Sequence, residues 1–165
     1  MADDPFAPLK DWVQEQAAPL SWKAVLGRAR EMRAAWQETT DGITAADAPS
    51  GPQDGEWSPW HLINHAGAWL ENATNALDRS TQDQSTDLGT DQAFYQDMPS
   101  FAAASERVAT HLDRFVAQVE ACASGVGENV IVTHRRLGEL NPREYAVFTM
   151  WHVNDHEKQI REMRS

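Results

Sequence analysis

Cysteine is nearly absent: Cys122 stands alone in 165 residues. That excludes an intramolecular disulfide and any cysteine-rich zinc site, and it fits a reducing cytoplasm. Positive charge is also scarce. Fourteen Lys and Arg face 25 Asp and Glu, giving a net charge of −11 and a sequence pI near 4.8. So acidic a chain argues against nonspecific binding to nucleic acid or to an anionic membrane. No apolar run approaches the roughly 20 residues of a membrane-spanning helix. The start, MADDPFAPLKDW, lacks the basic-then-apolar pattern of a secretion signal. No internal repeat of fixed period is present. The expectation is a soluble, cytoplasmic chain whose partners include neither nucleic acid nor membrane.

What is present suits one domain. The length supports a sizeable core, and 41% hydrophobic residues is near the globular range. Residues 1–165 read as a single domain, with 1–19 as an N-terminal lead-in. Seven tryptophans promise large apolar contacts and aromatic walls. Apolar spacing is mostly helical. Trp22, Val25, Leu26, Ala29, Met32 and Trp36 follow a three-and-four rhythm behind Ser21, a fitting N-cap. A loop runs from Thr39 to about Gly55. In WSPWHLINHAGAWLENATNALDR, Ser58 suits the cap and Pro59 the first helical position. Leu62, Ala66, Trp69, Ala73 and Leu77 then form a buried stripe. Residues 79–97 form a long polar connection, with a short helix expected around Ala93 to Gln96. A third helix spans about Ser100 to Ala121. Val130 to Thr133 read as a lone strand or a packed loop. NPRE, with Asn141, Pro142 and Glu144, carries capping-box spacing and opens a helix to about Met163. Four long amphipathic helices and little else predict an all-α fold, a four-helix bundle.

His152 and His156 stand four apart in WHVNDHEKQI, so a helix places them on one face. Tyr145 and Phe148 precede them on that face, which makes it a core- or groove-facing one. On the second helix, His65 falls within the apolar stripe, where a polar ring needs a partner or a cavity. His61 lies in the first turn, where the positive helix end disfavours an imidazolium. Neutral imidazoles are what a metal requires. His65, His152 and His156 are thus the candidate metal ligands, with His61 bordering the site. Three inward imidazoles leave an open coordination position on zinc and also suit nickel, iron or copper. Without a carboxylate or thiolate ligand, the ion keeps about two units of positive charge. His111 reads as boundary or surface and His134 as a loop or packing residue. Trp57, Trp60 and Trp151 read as packing residues, with Trp60 the best candidate for a pocket wall. The helical zinc-peptidase motif is excluded, because Val153 stands where its glutamate belongs.

GEWSPWHLINHAGAWLEN resembles the second-helix motif of the DinB/YfiT-like metalloenzymes, in which a histidine follows the Trp-Ser serine by seven residues. That histidine is His65 here. GELNPREYAVFTMWHVNDHEKQI resembles the family's closing motif, which maps onto His152, His156, Gln159 and Ile160. The resemblance spans about Trp22 to Arg164. It implies a four-helix bundle with a long crossover connection and a metal triad of His65, His152 and His156. It further implies a divalent ion, zinc or nickel first and iron or manganese next, and a homodimer. His134 gains a counterpart in one branch of the family. Lys158 departs from the small residue common before the glutamine.

The resemblance also suggests chemistry, since thiol-dependent transferases and an isomerase belong to the superfamily. A low-molecular-weight thiol would meet the open metal position as thiolate and attack a small-molecule electrophile. Gln159 would support or pack against the site, and Tyr145 would be a polar group of the pocket. Two alternatives stand beside thiol transfer. One is a metal-dependent hydrolase, which needs no thiol. The other is a noncatalytic stress-response or binding module stapled by its metal.

Overall fold

The computed structural model describes residues 6–48, 57–88, 98–127 and 129–164. In chain order the elements are α1 (Ala7–Ala17), α2 (Trp22–Thr40), α3 (Pro59–Thr81), β1 (Thr86–Asp87), α4 (Phe101–Ala123), β2 (Val132–His134), β3 (Gly138–Leu140) and α5 (Pro142–Met163). The start signals act as their chemistry requires. Ser21 accepts from the Ala24 amide at 3.2 Å and Ser100 from the Ala103 amide at 3.1 Å. At Asn141 the capping box closes in both directions. The Glu144 amide donates to the Asn141 side chain and the Asn141 amide to the Glu144 carboxylate, each at 2.9 Å. Ser58 occupies the N-cap position of α3, but its hydroxyl meets His61 Nδ1 at 3.0 Å and caps no backbone amide.

Helix α3 packs on α4 and α5, and α2 packs on the same two. Between them lie fully buried Leu62, Leu70, Leu77, Leu112, Phe115 and Ile160. Burying each such side chain contributes about 1.5–3 kcal/mol. The fold is mostly helical rather than purely so. A small sheet of order β1-β2-β3 joins the helices, parallel between β1 and β2 and antiparallel between β2 and β3. Val130 to Thr133 thus feed a paired strand, neither alone nor a loop. The segment read as a lead-in holds α1, which packs against α5. The helix expected around Ala93 to Gln96 lies outside the described residues. No helix of the described residues is long and apolar enough to cross a membrane.

Candidate metal centre

Helices α3 and α5 face each other, and their histidines meet between them. His65 Nε2 lies 3.0 Å from His152 Nε2, which lies 3.1 Å from His156 Nε2. Ligand atoms of all three rings fall within 4.8 Å of one another. One nitrogen offers either one proton or one lone pair, so His152 Nε2 cannot make two good hydrogen bonds to these neighbours. Three nitrogens aimed at one point suit a cation instead. Tetrahedral zinc with nitrogen bonds of roughly 2.0–2.1 Å sets its ligands about 3.3 Å apart. The donor set therefore fits a divalent ion.

Aromatic rings fix and shield the triad. Trp69, one turn after His65, packs against His152 with centroids 3.9 Å apart. Phe148, one turn before His152, packs on Trp69 at 5.6 Å and on Trp151 at 5.9 Å. Trp57 reaches over His65 and His156 at 5.1 and 6.1 Å. These rings and the triad line a cavity of about 440 Å³, which Phe6 and Leu9 border from the α1 side. Burial, with a smaller contribution from His156, lowers the His65 pKa to about 4. Burial and then the neighbouring histidines lower His152 to about 2. His156 is lowered by burial, against the opposing pull of Asp155 and a hydrogen bond with Gln159. The rings are therefore neutral near pH 7, with lone pairs to donate.

None of the other histidines joins the cluster, although His134 lines the same cavity. His61 is tied to Ser58 and is not in the cluster. His134 is buried, and its Nδ1 accepts from the amides of Arg136 and Leu137 at 3.3 Å each. The ring proton then sits on Nε2, so neither nitrogen offers a metal a lone pair. His111 is buried rather than at the surface, with Nδ1 3.2 Å from the Thr74 hydroxyl. Tyr145 lies in the core at 0% exposure and lines no part of the cavity. Gln159 donates to Asp155 at 2.7 Å. Trp60 packs on Phe101 away from the cavity, whereas Trp57, Trp69 and Trp151 form walls. Trp69 and Phe148 were findable by helix spacing, each four residues from a triad histidine. Arg136 at the cavity, from the β2–β3 turn, has no such local signal.

The sequence model of the DinB superfamily matches residues 30–160, well over half of the chain. The chain belongs to the DinB superfamily. All three clustered histidines of this DinB-superfamily chain fall within the matched stretch, while α1 with Phe6 and Leu9 lies before it. No curated protein matches the chain, and no solved structure does.

Proposed function

We propose that this DinB-superfamily chain is a metal-dependent enzyme of thiol-transfer type, built as one four-helix-bundle domain around a three-histidine site. The reading is carried by three Nε2 atoms converging at an aromatic cavity. His65, His152 and His156 would hold the ion, zinc or nickel first and iron or manganese next. Such an ion supplies an open position that lowers the pKa of a thiol placed there. The chain's own part is preparation. Burial keeps the three rings neutral, and Trp69 fixes the plane of His152. Trp57, Phe148 and Trp151 offer flat apolar walls to a small-molecule electrophile.

The test begins with metal analysis of protein purified without a nickel column. Wild type should carry about one ion per chain, and His65→Ala and His152→Ala at least about tenfold less. Equal metal in all three would overturn the triad. Several low-molecular-weight thiols should then be assayed with an electrophile. Conjugation that needs both metal and thiol is expected. Turnover without thiol would point to a hydrolase, and metal-dependent stability without turnover to a noncatalytic module.

A further inference from the structure

The cavity beside the triad has an electrostatic character opposite to that of the chain. Net charge is −11, yet no Asp or Glu lines this cavity among the described residues, and Arg136 does. The arginine is placed by built structure. Strands β2 and β3 pair His134 with Gly138 across the turn that carries it. Gly138 takes φ +68°, a left-handed conformation that favours glycine. The Arg136 amide donates to the buried His134 ring, which fixes the backbone under the side chain. The guanidinium lies 5.4 Å from the centroid of the Phe6 ring. An aromatic face holds a cation without neutralising it. No carboxylate among the described residues pairs with Arg136.

We propose that Arg136 anchors the substrate, and that the substrate is a carboxylate-bearing small molecule with a flat apolar body. The proposal rests on the cavity being the substrate pocket of the metal site. A guanidinium offers two parallel N–H bonds that match a planar carboxylate. One such group balances a single negative charge, which suits a carboxylate better than a doubly charged phosphomonoester. Trp57, Trp69, Phe148 and Trp151 supply apolar faces for the body. A volume of about 440 Å³ admits a ligand of that size.

The test uses 3-phenylpropanoate and its neutral amide as probes, read by quenching of tryptophan fluorescence. Metal-free and zinc-loaded wild type, Arg136→Gln and Arg136→Lys are compared. The carboxylate should bind wild type about five- to tenfold more tightly than the amide, with or without zinc. In metal-free protein Arg136→Gln should erase that ratio and Arg136→Lys should keep part of it, and neither should change zinc uptake. A ratio that survives in metal-free Arg136→Gln, or that appears in wild type only with zinc bound, would overturn the anchor. So would carboxylate binding no tighter than the amide's. If wild type takes up no zinc yet shows the Arg136-dependent ratio, the anchor stands and the metal reading falls.

Discussion

His156 and Glu157 are neighbours in sequence with opposite duties. His156 turns toward α3 and the triad, whereas Glu157 turns toward α2. The Glu157 side chain is 5% exposed, accepts from the Thr39 hydroxyl and pairs with Arg161 at 2.7 Å. Removing it leaves a buried hydroxyl without its acceptor. Glu157→Ala should therefore cost about 1–3 kcal/mol. Arg161→Ala removes a partner whose side chain is 65% exposed and should cost less than about 1 kcal/mol. Urea midpoints at constant slope would measure both, and equal losses would refute the buried role of Glu157. The pairing of His152 with His156 was legible in the sequence, because spacing of four in a helix fixes a shared face. Glu157 was not, since its value lies in Thr39, 118 residues away.

Helices α2 to α5 were legible from apolar period, caps and prolines, all of which act within a few residues. The capping box at Asn141 is the strongest of these signals. Asn141→Ala should destabilise the fold by about 0.5–2 kcal/mol, while Asn141→Asp, which keeps the acceptor, should cost much less. Circular dichroism during thermal unfolding would test this, and indistinguishable variants would refute it. Metal content should hold, because His152 lies about three turns further along α5. Helix α1 was legible in hindsight: Leu9, Trp12, Val13 and Ala17 keep helical spacing, and Val13 and Ala17 are buried. The prolines at positions 5, 8 and 19 hid that pattern. The β2–β3 hairpin was harder, since three-residue strands carry almost no period. Its pairing with β1 joins segments more than forty residues apart.

Across the whole molecule, the neutral triad ties stability to pH. An unfolded histidine has a pKa of about 6.5, and in the fold His65 sits at about 4 and His152 at about 2. Below pH 6.5 the unfolded chain binds protons that the folded one refuses. Stability then falls as pH drops toward the folded values. Metal-free protein should lose roughly 4–8 °C in melting temperature between about pH 7 and pH 5, with partial burial discounting the shifts. Zinc should raise the melting temperature at the higher pH and do less at the lower, where protons compete for the same lone pairs. Calorimetry across pH, with and without chelator, would show this, and a curve flat in both would refute a buried neutral triad. Sequence alone determined the helices that hold the histidines, the face that His152 and His156 share and the absence of an intramolecular disulfide, because period, caps and composition are local properties. Tertiary structure alone decided that His65 meets His152, that His61, His111 and His134 bond to other partners, and that Arg136 joins the triad's cavity. Those outcomes depend on how separate elements pack, and packing distances are not written in the spacing of any one element.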